Sequence, residues 1–259
     1  MHSLIDNFMH YRYFLLENVI KDIKLKYRNS YLGIIWTMIE PLLQMIVLAF
    51  VFGTLFGNED KQFPVYILTG RLLYSFFSSS TKSCVRSIRS NASMIKKVYV
   101  PKYLYPLSSI LSSFVIFLIS LLVLVGVSIY FKVMPTFYTL LAPVPILLLL
   151  LLSFGIGMIL ATFGVFFRDL EYLWGVALML VMYTCAIFYK ISRFEKSGYA
   201  WVLELNPLYC IIKNFRNVVL YGQGLEMKTM LYAFAFSAIT TLVGLVLFNR
   251  QQDKFILHI

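Results

Sequence analysis

Apolar residues fall in long blocks separated by short polar stretches. A helix that crosses a membrane needs about 20 consecutive, mostly apolar residues. Residues 34–56, 107–131, 140–167, 170–189 and 230–248 satisfy that pattern and predict five spanning helices. Residues 64–80 predict a sixth, weaker one, because Arg71 falls inside it. The block at 140–167 is long enough to tilt, and Pro143 and Pro145 near its start predict a kink.

Before the first block the periodicity changes. Ile5, Phe8, Leu15, Leu16, Val19, Ile20, Ile23 and Tyr27 recur at helical spacing, with Asp6, His10, Glu17, Lys21, Asp22 and Arg28 mostly opposite. This predicts a helix over about 4–28 lying in the membrane interface, although a soluble helix packed on a partner fits the same stripe. A signal peptide is not expected, because no short apolar core stands beside a small-residue cleavage site. Residues 190–229 behave differently again. Their apolar patches at 200–205, 208–212 and 218–221 are each too short to span. They predict two short helices dipping back into the outer leaflet over about 190–226, a backbone tolerable only against protein or water.

Composition sharpens this into a class. Hydrophobic residues make up 60% and charged residues 14%, against roughly 25% charged in a soluble domain. A globule of 259 residues has too little interior for so much apolar surface, which excludes a soluble enzyme, a disordered chain and a disulfide scaffold. The net charge of +11 implies basic loops facing anionic lipid rather than nucleic acid. Arg12, Lys21, Lys24, Lys26 and Arg28 precede the first block, and Lys82, Arg86, Arg89, Lys96, Lys97 and Lys102 follow the second. The stretch after the first block has Lys61 beside Glu59 and Asp60, and the one after the third has Lys132. Six spans with both termini cytoplasmic fit this bias, although Lys190, Arg193, Lys196, Lys213, Arg216 and Lys228 run against it. Cys84, Cys185 and Cys210 have no metal spacing, and the three histidines lie near the chain ends, so no metal site is expected.

No catalytic constellation is visible. There is no Gly-x-Ser-x-Gly elbow, no histidine within the blocks to act as a base, and no Gly-x-x-x-x-Gly-Lys-Ser/Thr phosphate loop. ATP hydrolysis would have to come from another chain. Around Asn91, the residues Ile95, Lys96, Lys97, Val98 and Tyr99 set apolar groups within a basic run that Pro101 closes. Such a turn suits docking to a partner protein; a basic loop on anionic lipid fits it as well. Phe50, Phe52 and Phe56 end the first block, and Tyr183, Phe188 and Tyr189 end the fifth. These rings suit either a lipid-facing belt or a tolerant lining on which sugars stack. Glu40 and Arg71 are ionisable groups inside apolar blocks and fall at different depths by helical rise. Asp169 is placed to cap the fifth helix with Arg168 at the headgroups, and Ser153, Gly157 and Ala161 repeat every four residues as in close helix packing.

Five stretches together resemble a known family: residues 22–36, Glu40-Pro41-Leu42, residues 95–101, Phe166-Phe167-Arg168-Asp169-Leu170 and Asn206-Pro207-Leu208-Tyr209. Along essentially its whole length the chain is similar to the type-two ABC exporter permeases that move bacterial cell-surface polysaccharides such as O-antigen, capsule and wall teichoic acid. The resemblance implies an all-α integral membrane protein of six transmembrane helices, with an N-terminal interface helix and a re-entrant outer segment between helices five and six. It implies a homodimer in a bacterial inner membrane, paired with two ATPase subunits that hold ATP and magnesium. It also implies that the region 86–101 docks on the ATPase and that Asn206, Pro207, Leu208 and Tyr209 belong to an outer gate. The cargo is then a lipid-pyrophosphate-linked glycan, with Lys26 and Arg28 placed to attract the pyrophosphate. Two departures stand out: Cys185-Ala186-Ile187-Phe188-Tyr189-Lys190 lacks the two prolines common in relatives, and Arg71 replaces a neutral residue. Export of a drug or simple lipid by a related permease is the alternative. A membrane transferase is disfavoured by the missing histidine and by the absence of paired outer carboxylates.

Overall fold

The computed structural model describes residues 4–28, 30–56, 60–189 and 200–258, with the side chains of 4–10, 54–56 and 200 left aside. Every regular element among them is helical. In chain order these are α1 (Leu4–Tyr27), α2 (Trp36–Phe56), α3 (Phe63–Ser90), the single turn α4 (Ala92–Ile95) and α5 (Leu104–Tyr130). They continue with α6 (Pro143–Phe166), α7 (Leu170–Thr184), α8 (Ala200–Glu204), α9 (Pro207–Val219), α10 (Met227–Gln251) and α11 (Phe255–His258). Among the described residues, four stretches are long and apolar enough to cross a membrane: Gly33–Gly53, Leu104–Tyr130, Phe137–Phe166 and Met227–His258. The helix α7 is apolar but has 15 residues, short of the ~20 that a bilayer core needs.

The weak second block lies inside the best-packed helix. With 28 residues, α3 continues ten residues beyond position 80 and carries Lys82, Arg86 and Arg89, which therefore sit on a helix and not in a connector. It is more polar than those four stretches because its neighbours are protein: it packs against α2, α5, α6, α7 and α9. Its hydroxyls satisfy themselves locally. Thr69 donates to the Tyr66 carbonyl at 2.8 Å, Thr81 to Phe77 at 2.7 Å and Ser87 to Cys84 at 2.8 Å. A buried hydroxyl bonded to its own helix costs little, so hydropathy understates how well α3 suits this position.

Other boundaries differ from expectation for local reasons. Pro143 and Pro145 open α6 instead of kinking it: a 3-10 turn over Phe137–Leu141 ends at Ala142, and Pro143 takes the first helical position, where a missing N–H is harmless. The helix α7 stops at Thr184, five residues early, because Ala186 adopts a left-handed φ of 48°. Asp169 occupies the N-cap of α7 without a side-chain cap bond; its carbonyl instead accepts from Tyr172 and Leu173. Of the segment expected at 190–226, residues 190–199 lie outside the described set, and the remainder holds the two short helices α8 and α9.

Small residues bring the central helices together. Ser153, Gly157 and Ala161 are buried on α6, as their spacing predicts. A methyl group on Gly157 would lie 2.9 Å from Cys84 Sγ, and one on Gly155 would lie 2.6 Å from the Thr241 amide nitrogen. On α1, Leu15 and Val19 are buried while Leu16 and Ile20 stay exposed, so the predicted stripe splits into a packed line and an open one. The packed side meets α5, with the Phe14 ring edge-on to Tyr105.

Candidate functional site

Two helices with mostly exposed faces, α2 and α7, both lean on α3. Four of the predicted channel aromatics meet at the end of this seam. Phe52 stacks on Phe188 with centroids 5.2 Å apart, Tyr183 approaches Phe188 edge-on at 6.5 Å, and the Tyr189 hydroxyl donates to the Tyr183 carbonyl at 2.6 Å. Phe50 is not part of the cluster. Two residues from Phe52 on a helix, it turns well away and is 71% exposed. The side chain of Phe56 lies outside the described residues.

The same seam contains a polar ladder. Gln44 donates to Glu40 Oε1 at 3.1 Å, and Arg71 Nε donates to Gln44 Oε1 at 2.8 Å. On the other side Arg71 Nη1 reaches Met182 Sδ at 3.7 Å, and the guanidinium stands 5.8 Å from the Tyr74 ring. Tyr74 in turn donates to the Leu178 carbonyl at 2.8 Å. Glu40 and Arg71, expected at separate depths, are thus joined through one intervening amide. The four-residue step from Glu40 to Gln44 moves about 6 Å along the helix, and the long side chains cover the rest.

Beyond the aromatic cluster, α9 is fastened to the rest of the bundle. Asn206 caps it, accepting from the Leu208 amide at 3.0 Å while donating to Thr184 Oγ1 at 2.9 Å. Pro207 follows in the first turn, and Leu208 and Tyr209 are buried. The main fastening is Arg216, which sequence reading counts only as a loop charge. It is 1% exposed. Its Nη1 donates to the Ala186 carbonyl at 3.0 Å, its Nη2 to the Tyr66 carbonyl at 3.0 Å and its Nε to Thr69 Oγ1 at 3.4 Å. The guanidinium also lies 3.5 Å over the Tyr66 ring, and Tyr66 donates its own hydroxyl to Ala186 at 3.0 Å. Two donors therefore hold the carbonyl of the left-handed residue that ends α7. A Cβ on Gly70 would overlap the guanidinium, so glycine is what makes room for it.

At the opposite end α3 passes into the basic turn. Asn91 donates to the Ser87 carbonyl at 2.8 Å and accepts from Lys21 of α1 at 3.0 Å. Ile95 is buried and anchors the turn, so it is not offered to a partner; Lys96, Lys97, Val98 and Tyr99 project outward, Tyr99 being 98% exposed. Nearby, Lys26 lines a cavity between α1, α3 and α5. Burial lowers its pKa, while Glu40 raises it. Arg28 lies just past the end of α1 and is exposed.

The family model for ABC-2 type transporters matches residues 14–220, which include the seam, the basic turn and the Arg216 lock. The chain belongs to the ABC-2 type transporter family. Among known relatives, it is 29% identical over 238 residues to an O-antigen export system permease protein RfbA of Klebsiella pneumoniae, covering 91% of this chain and 90% of that one. It is 25% identical to a protein of the same description from Myxococcus xanthus, over 98% of both chains. It is 23% identical to the polysialic acid transport protein KpsM of Escherichia coli, over 92% of this chain and 93% of that one. As an ABC-2 chain it is a multi-pass membrane transport protein.

Within this ABC-2 fold, Arg71 is expected to contribute little net stability. Placing an arginine in a membrane helix costs about 2.5–3.5 kcal/mol, and charged hydrogen bonds return about 1.5–3 kcal/mol. Arg71→Met is therefore expected to stay within about 1 kcal/mol of the parent, a shift of about 2–4 °C in the unfolding midpoint of purified protein. A drop several times larger would make the ladder a stabilising device after all.

Proposed function

We propose that this chain is the permease subunit of an exporter that carries a lipid-linked cell-surface polysaccharide across the cytoplasmic membrane, driven by a separate ATPase. The observation that carries the reading is similarity to O-antigen and polysialic acid transport proteins over nine-tenths or more of each chain. The sequence fits a non-hydrolysing subunit, since it contains no phosphate loop.

In this reading α3 and α7 complete six spans, and α9 re-enters the outer leaflet. At 13 residues, α9 rises about 20 Å, too little to cross a hydrocarbon core of about 30 Å. The positive-inside rule sets α1 and the basic turn in the cytoplasm with both termini. Two copies pair through the exposed faces of α2 and α7 and enclose a channel along the seam. Phe52, Tyr183, Phe188 and Tyr189 line it, offering flat faces to sugar C–H groups. Asn206, Pro207, Leu208 and Tyr209 close it outside. Lys26 and Arg28 draw the pyrophosphate to the inner opening, and the projecting Lys96, Lys97 and Tyr99 dock on the ATPase.

The test is reconstitution with the cognate ATPase in liposomes, following ATP-dependent movement of a lipid-pyrophosphate-linked glycan. Replacing Lys96, Lys97 and Tyr99 together by alanine is expected to weaken co-purification of the ATPase by about tenfold or more, as the loss of one interface hot spot does. Glycan movement falls with it. ATP hydrolysis stimulated by small drugs but not by the glycan would overturn the cargo assignment.

A further inference from the structure

The cavity of about 600 Å³ between α1, α3 and α5 is lined by cations and hydroxyls. Ser79, Lys82, Ser83 and Arg86 face it from α3 at helical spacing, and Ser109, Ser112 and Ser113 face it from α5. Lys26 stands at its exposed rim on α1. Lys82 and Lys26 have no described carboxylate in an ion pair, whereas Arg86 reaches Glu171 of α7 at 3.4 Å. One carboxyl, Asp22, shares the wall. Burial raises its pKa, with Lys21 opposing. Ser112 and Ser113 already donate to the Ser109 carbonyl, which leaves three cations and the hydroxyls of Ser79, Ser83 and Ser109 to meet a phosphoanion, and charge-assisted bonds to phosphate oxygens are the strongest such groups form.

We infer that this cavity binds the phosphate group of a lipid headgroup, with Lys26 and Lys82 as its principal cations and Ser79, Ser83 and Ser109 as its hydroxyl donors. Two sources carry that chemistry: bulk anionic phospholipid, and the pyrophosphate of a lipid-linked cargo, the second of which rests on the export reading. The position gives occupancy a consequence. Asn91 lines the same cavity, accepts from Lys21 of α1 and begins the turn that presents Lys96 to Tyr99. A bound headgroup therefore lies against the first residue of the docking turn.

The test measures binding to the full-length protein in phosphatidylcholine nanodiscs, needing neither ATPase nor transport, so it stands or falls apart from the export reading. The probes are phosphatidylglycerol and farnesyl pyrophosphate. Lys26→Gln with Lys82→Gln is expected to weaken binding by about tenfold or more, the loss of charge-assisted contacts. Lys132→Gln with Lys254→Gln removes the same charge from exposed positions that do not line the cavity and is expected to change binding by less than about twofold, within the reach of screened surface charge. Ser83→Leu removes a hydroxyl and sets an apolar side chain in the wall next to Lys82 without changing charge, and is expected to weaken binding. Binding of the pyrophosphate alone assigns the site to cargo, binding of phosphatidylglycerol alone assigns it to membrane lipid, and either supports it. Equal loss in both lysine pairs, or no loss with Ser83→Leu, overturns it.

Discussion

Gly164→Val is expected to abolish recovery of monodisperse protein, and Gly164→Ala to cost about 3 kcal/mol or more, at or beyond the upper end for overpacked cores. A Cβ at position 164 would overlap the Val85 carbonyl oxygen and stand 2.9 Å from its carbon. What it meets is the backbone of α3, so relief requires moving a whole helix. In a membrane, helix association rests on close packing with no hydrophobic drive between helices, and separating α3 from α6 forfeits contacts along both. Size exclusion after detergent extraction checks this. Two glycines calibrate it. Gly157→Ala meets the Cys84 side chain at 2.9 Å and is milder, with Cys84→Ala restoring it. Gly126 has open space around its Cβ position, so Gly126→Ala is expected to gain up to about 1 kcal/mol of helix propensity. Equal losses at all three positions would show that the close approach of α6 to α3 is not what matters.

How much of this was legible in sequence depends on what surrounds each element. The helices α2, α5, α6 and α10 were legible because their exposed faces are apolar, and a lipid-facing surface leaves long apolar blocks in the chain. The helix α3 was hard to read because its neighbours are protein, which tolerates Ser80, Thr81 and Ser87 once each bonds its own helix. Helix spacing found the Ser153, Gly157 and Ala161 stripe, but it could not find Gly155 facing Gly244, since that contact joins residues distant in sequence.

At the functional site the losses have the same origin. Stacking of Phe52 on Phe188 follows once two aromatic block ends lie near one another. The Glu40–Gln44–Arg71 ladder was missed because a neutral glutamine gives no electrostatic signal, although its spacing of four from Glu40 was available. Arg216 was missed because a charge among short apolar patches resembles a solvated loop residue. Its neighbours Ile212, Phe215 and Val218, all buried, were the available hint that this turn faces inward.

Arg216→Ala is expected to destabilise the protein by about 3 kcal/mol, from a cavity term near 24 cal/mol per Å3 and the loss of charge-assisted bonds, less the desolvation that disappears with the charge. The midpoint of thermal unfolding then falls by about 6–12 °C, at roughly 2–4 °C per kcal/mol. The contrast with Arg71 is physical. Arg71 is only partly buried, and one strong acceptor and a thioether receive its bonds. Arg216 is enclosed, and its planar fork joins Ala186, Tyr66 and Thr69 at once. Arg216→Met fills most of the volume without the fork, and Arg216→Lys keeps the charge without the planarity. Both are expected between the parent and alanine. A methionine variant as stable as the parent would reduce the guanidinium to a space-filler. Loss of the fork also frees Ala186, whose left-handed backbone costs about 1–2 kcal/mol and which is then held by Tyr66 alone. The end of α7 and the start of α9 share this fastening with Asn206, so limited proteolysis of the methionine variant is expected to cut first within residues 200–226. Cleavage there no faster than in the parent would mean that Asn206 and the buried face of α9 hold the segment without Arg216.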